Sequence, residues 1–167
     1  MTRILTTHVG SLPRSQRVTE FIFARENEGE YEPGEYDRTI AAAVKACVAR
    51  QVEAGVDLVS DGEQSKISYA TYIKDRITGF EGDSPRRTPQ DLEAFPSFMK
   101  RLASVAERIE RFANIVGRDR VIAGTDCGFS TFAGFGNVDP EIVYAKLGAL
   151  AEGAAVASRR LWGRSAA

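Results

Sequence analysis

The chain has 167 residues, 43% hydrophobic and 27% charged, with 22 basic against 23 acidic side chains and a net charge of −1. That length suits a single domain, and the balance lacks the clustered excess base of a nucleic-acid binder, since neighbouring acids dilute Arg86-Arg87 and Arg159-Arg160. No apolar run reaches the roughly 18 residues of a membrane span, and His8, Gly10 and Pro13 interrupt the start where a signal peptide would stay apolar.

Two cysteines without a secretion signal predict reduced thiols and a cytoplasmic location.

In chain order, residues 3–9 are rich in β-branched side chains and end at Gly10, which predicts a strand. Pro13 stops the ladder, and a short helix is expected at 16–25. The acidic, Gly- and Pro-punctuated stretch 29–34 predicts a loop. Ile40, Val44, Cys47, Val48 and Val52 recur at helical spacing, predicting a helix over 36–54 with Gly55 beyond its end. Residues 56–60 predict a second strand. A helix with an aromatic face is expected at 67–77, and 79–97 is irregular, broken by Gly79, Gly82, Pro85, Pro89 and Pro96.

A further helix is expected at 98–116, its stripe being Leu102, Val105, Ile109, Phe112, Ala113 and Val116, with Gly117 as its stop. Residues 120–126 predict a third strand, followed by a Gly/Phe-rich loop at 128–137. Asp139-Pro140-Glu141 is a helix start, with Asp as N-cap, Pro in the first turn and an acid against the dipole. The last helix is expected to run to about 161 with a small-residue face of Ala145, Gly148, Ala151, Ala155 and Ser158. Strands alternating with helices predict an α/β fold with parallel strands.

Three polar motifs fall at predicted strand ends, where α/β folds place ligands. The first is Thr6-Thr7-His8-Val9-Gly10-Ser11-Leu12-Pro13-Arg14. Gly10 lets backbone amides approach a ligand and Ser11 adds a donor. His8, the sole histidine, is a ligand, an acid/base group or a hydrogen-bonded structural residue. The second is Val59-Ser60-Asp61-Gly62-Glu63-Gln64. Glu63 can accept from the ammonium of an amino acid, and Asp61 is a general base or a cap. The third is Ala123-Gly124-Thr125-Asp126-Cys127-Gly128-Phe129. Cys127 lies off any helical stripe, so it is a zinc ligand, a nucleophile or a small buried hydrophobe. Cys47 lies on an apolar stripe and is expected in the core. None of these is a phosphate loop or a dinucleotide fingerprint.

Together the stretches 6–14, 55–64 and 106–162 resemble the cobalamin-independent methionine synthase family, in particular its short relatives made of the catalytic barrel alone, which include methyltransferases and coenzyme M transferases. The resemblance implies a zinc-dependent S-methyltransferase, in which a zinc-bound thiol such as homocysteine takes a methyl group from a folate-type donor. It maps Cys127 onto one Zn²⁺ ligand, Val9, Gly10 and Ser11 onto the segment touching the amino-acid substrate, and Glu63 onto the acid holding the ammonium.

The family's His-x-Cys ligand pair, its ligating glutamate, a second substrate aspartate and a proton-donating histidine have no counterpart here. His8, with Glu63, is the candidate for completing an improvised site. A (β/α)₈ barrel needs about 200 residues, so the implied architecture is a partial TIM-type barrel with parallel strands in spatial order 8-1-2. Its N-terminal part is 1–82, an irregular join 83–105, and its C-terminal part 106–167. Such a sheet has two unpaired edges, so the chain is expected to be incomplete alone, and to meet a complementing chain or copies of itself. The alternative is a non-catalytic truncated relative acting as an oligomerising module. A metal-free thiol enzyme using Cys127 is a weaker third reading.

Overall fold

A computed structural model describes residues 2–27, 29–67, 101–125, 128–129 and 138–163. The expected helix at 67–77 (apart from Ile67), the irregular stretch 79–97, most of the expected join, and Asp126 and Cys127 lie outside the described residues.

Strand β1, Leu5–Thr7, runs parallel to β2, Ile122–Gly124, with Leu5 opposite Ile122, Thr6 opposite Ala123 and Thr7 opposite Gly124. On its other side Thr7 forms a single parallel bridge to Leu58. The expected strand at 56–60 is reduced to that bridge because side chains replace ladder bonds around it. The Asp57 carboxylate accepts from the Thr6 amide at 2.8 Å and from Thr6 Oγ1 at 3.0 Å. The Gln51 amide group takes both the carbonyl and the N–H of Ser60, at 2.8 and 3.0 Å.

Helix α1, Gln16–Glu26, is capped by Ser15, whose hydroxyl accepts from the Val18 amide. Helix α2, Pro33–Glu53, starts inside the expected loop. Glu32 caps it by accepting from the amides of Gly34 and Glu35, with Pro33 supplying a preset φ at the first position. Helix α3, Arg101–Val116, is described from Arg101 and stops before Gly117; a 3₁₀ turn, Arg118–Arg120, leads into β2. Helix α4, Pro140–Trp162, begins as expected, the Asp139 carboxylate accepting from the Glu141 amide at 2.8 Å.

Helices α3 and α4 pack closely and cover one face of the strands through Ile4, Ala106, Ile109, Ala123, Ala154 and Ala157. Gly153 permits the approach: a Cβ there would lie 2.4 Å from Val105 Cγ1. The start of β1 is tied to α4 by Ser158, whose hydroxyl accepts from the Ile4 amide at 2.9 Å and donates to the Ala154 carbonyl. A second cluster, Leu12, Cys47, Val56, Val143 and Leu147, joins α2 to α4 beneath the strand-end loops. Each fully buried aliphatic there is worth about 1.5–3 kcal/mol.

Several face assignments differ from the periodicity. Val52 is 61% exposed while Gln51 is fully buried, because Gln51 bonds Ser60. Phe112 and Val116 are 65% and 43% exposed, since no element among those described covers that side of α3. On α4 the buried small residues are Gly153, Ala154, Ala157 and Ser158, with Ala145 exposed. No helix among the described residues is long and apolar enough to cross a membrane.

Candidate functional site

The ends of β1 and of the 56–60 segment are joined into one polar unit. The Leu12 amide donates to the Gly62 carbonyl at 2.9 Å, and Gln64 Nε2 donates to the carbonyls of Leu12 and Pro13. Arg14 Nη2 donates to the carbonyls of Glu63 and Lys66, at 2.6 and 2.8 Å. Burial lowers the pKa of Arg14, partly offset by the nearby carboxylates of Glu63 and Asp61. Arg14 and Gln64 also line a groove of about 650 Å³ between α1, α2 and the start of α4.

The turn at 61–64 has an unusual backbone. Gly62 has φ +59°, and a Cβ there would lie 2.5 Å from Cys47 Sγ and 3.0 Å from Leu12 Cβ. Glu63 follows at φ +53°, the single non-glycine residue with positive φ among those described. A side chain held there costs about 1–3 kcal/mol. Asp61 closes the turn, its Oδ1 accepting from the Glu63 amide at 2.9 Å and its carbonyl from Gln64. Asp61 thus holds the turn, and the helix it was expected to cap lies outside the described residues apart from Ile67. The Glu63 carboxylate makes no hydrogen bond or ion pair among the described residues, while its charge is felt by both Arg14 and His8.

His8 is 2% exposed and lies inside this unit. Its Nε2 sits 2.9 Å from the Gly10 carbonyl and its Nδ1 2.8 Å from Thr125 Oγ1. A carbonyl only accepts, so the network assigns the proton to Nε2, with the Thr125 hydroxyl donating to Nδ1. Phe129 stacks on the ring at 5.6 Å, and its amide donates to the Ser11 carbonyl at 3.1 Å. Burial pushes the His8 pKa down, favouring this neutral form.

Both ring nitrogens of His8 are engaged, so a metal at either would displace a hydrogen bond; Cys127, the other ligand of the expected site, lies outside the described residues. Cys47 is core, as expected. Burial pushes its thiol up, against hydrogen bonds from Tyr144 and Gln51. No group of three His, Cys, Asp or Glu able to hold a metal ion occurs among the described residues.

Of the expected substrate residues, Val9 is 60% exposed, Gly10 has φ +101°, and Ser11 is 1% exposed. The Ser11 hydroxyl is buried without a hydrogen-bond partner among the described residues, a state that costs about 1–3 kcal/mol. Ser11 and Glu63 are on loops bonded to one another, so the first and second motifs converge. Of the third, Thr125 and Phe129 reach the same unit through His8 and Ser11, and Cys127 lies outside the described residues. The sequence assigned no role to Arg14, Gln64 or Thr125, whose partners are 49 to 117 residues away along the chain.

Residues 4–86 match the family profile described as cobalamin-independent synthase, catalytic domain. The chain is 31% identical over 75 residues to a 5-methyltetrahydropteroyltriglutamate–homocysteine methyltransferase of a Synechococcus species, and 32% identical over 75 residues to one of Bifidobacterium animalis subsp. lactis. Each alignment covers 45% of this chain and 10% of the relative, so the match spans about a tenth of their length. The family match ends before the stretch 106–162. No solved structure gives a significant match.

Proposed function

Because residues 4–86 belong to the family of cobalamin-independent synthase catalytic domains, we propose that this chain carries the amino-acid-binding part of a thiol S-methyltransferase. The observation that carries the reading is the bonded pair of loops that present a buried hydroxyl, Ser11, beside an acid in a strained backbone, Glu63. Glu63 accepts charge-assisted hydrogen bonds from the substrate ammonium. Ser11, with the Gly10 backbone beside it, supplies polar contact to the substrate's other groups, and exposed Val9 its apolar contact. In the full reaction the substrate thiolate attacks the methyl carbon of a folate-type donor, and the methyl–nitrogen bond breaks. A cytoplasmic location suits these small-molecule partners.

The described residues do not make up a zinc site. Zinc enters the proposal only through Cys127, with the remaining ligands supplied by another chain, so the isolated chain is expected to bind substrate without turnover. Placing the three strand segments at positions 8, 1 and 2 of a partial barrel belongs to the same proposal. It agrees with β1 lying between β2 and Leu58.

The test is titration of the purified chain with homocysteine, followed by amide NMR. Saturable shifts at Ser11 and Glu63 are expected, and Glu63→Gln should weaken binding about tenfold or more, the loss of one charged contact. Absence of binding would remove the proposal. Zinc uptake against a competing chelator, compared with Cys127→Ser, tests the metal separately.

A further inference from the structure

The two flanks of the strand layer are complementary. Beyond the outer edge of β2 lies a groove of about 640 Å³, walled by Val105, Ile109, Phe112 and Val116 of α3 and floored by Ile122 and Gly124. No strand pairs with that edge among the described residues. On the opposite flank Leu58 and Val59 are 46% and 41% exposed. The Leu58 amide is turned inward to the Thr6 carbonyl. The N–H and carbonyl of Val59 make no hydrogen bond among the described residues, whereas the Asp57 N–H before Leu58 is turned in to Thr6 Oγ1 at 3.1 Å.

We infer that the chain associates with a second copy of itself head to tail, the 56–60 segment of one copy docking along the open edge of β2 in the next. Three features support a second copy as the occupant. All three strand segments are parallel, so a copy placed sideways adds a strand of the same polarity. Leu58 and Val59 are apolar and exposed, matching the exposed Ile122, Phe112 and Val116 of the groove. The charges are opposite: Arg108 and Arg120 line the groove with no carboxylate among the lining residues, whereas the docking segment is flanked by the exposed Asp61, Asp57 at its other end being paired with Arg3. Such a contact is heterologous, each copy using two different surfaces, and strand addition supplies its main-chain bonds.

The test uses light scattering on the full chain and two edge-blocked variants. Ile122→Lys places a charge on the β2 edge, and Val59→Pro removes a backbone N–H from the docking segment on the other flank. The wild type should exceed monomer mass at high concentration and dissociate on dilution, with salt weakening the contact. Each variant alone should be monomeric, its dissociation constant raised about tenfold or more. An equimolar mixture should form a heterodimer, because each variant keeps the edge that the other lacks. Leu58→Ser and Phe112→Ser, on exposed positions, replace either variant if circular dichroism shows it unfolded. A monomeric wild type, association unaffected by the variants, or a mixture that stays monomeric would each overturn the inference. None of these outcomes depends on homocysteine binding, so the two proposals fail independently.

Discussion

At the strand ends most polar groups are engaged, the buried Ser11 hydroxyl and Arg14 Nε being the exceptions among the described residues, whereas along the outer edge of β2 apolar groups lie open. His8 uses both ring nitrogens, Arg14 holds two carbonyls, and Gln64 ties one loop to the other. A few residues away, Phe112, Ile115 and Ile122 are 65%, 80% and 45% exposed. The contrast teaches that local closure and global closure are separate problems. A strand–loop unit can tie its backbone together through its own hydrogen bonds while leaving its lateral apolar surface for something else to cover.

The sharpest way to break this comparison is Gly62→Ala. The new Cβ meets Cys47 Sγ and Leu12, and the backbone stays left-handed, so a loss of about 2–4 kcal/mol is expected in urea unfolding. Adding Cys47→Ala should recover the steric part only. If Gly62→Ala is tolerated, the strand ends are looser than described.

Next in size is Asp57→Asn, at about 1–3 kcal/mol, the worth of hydrogen bonds to a charged group. Arg3 and the Thr6 groups hold the Asp57 carboxyl down at about 2. A folded-state pKa below the unfolded value means that this stabilisation is present above about pH 4 and lost as pH falls through about 2. The gap between wild type and variant should therefore shrink in melts taken from pH 5 downward, by this linkage. A gap that stays constant would show that the pairing is not electrostatic.

Glu63→Gly should stabilise the fold by about 0.5–1 kcal/mol, relieving the strained turn against the added chain entropy of glycine, while abolishing homocysteine binding. A destabilised variant would mean that the side chain, not the backbone, holds the turn. Smallest is Ile115→Lys on the open flank, expected within about 0.5 kcal/mol of wild type. A large loss there would mean that α3 is covered after all.

Much of this was legible in the chain itself. Gly55, Gly117 and Asp139-Pro140 mark helix ends because capping is local chemistry. Cys47 was placed in the core by spacing alone. One failure is local: residues 29–34 suggested a loop, yet Glu32 and Pro33 nucleate α2. The others have long-range causes. Gln51 is buried against periodicity because its partner, Ser60, sits on the neighbouring segment. Phe112 and Val116 form a good apolar stripe whose covering surface is not among the described elements. The role of His8 was open in sequence because Thr125, which occupies its second ring nitrogen, is 117 residues away.

The left-handed Glu63 carries an evolutionary consequence. Drift favours glycine or asparagine wherever φ is positive, so a glutamate persists there only under selection for its carboxylate. Orthologues of this chain thus record whether the substrate contact is still in use. Lineages that have abandoned it should relax toward glycine or asparagine at this position, and those that retain it should keep the acid despite the twist.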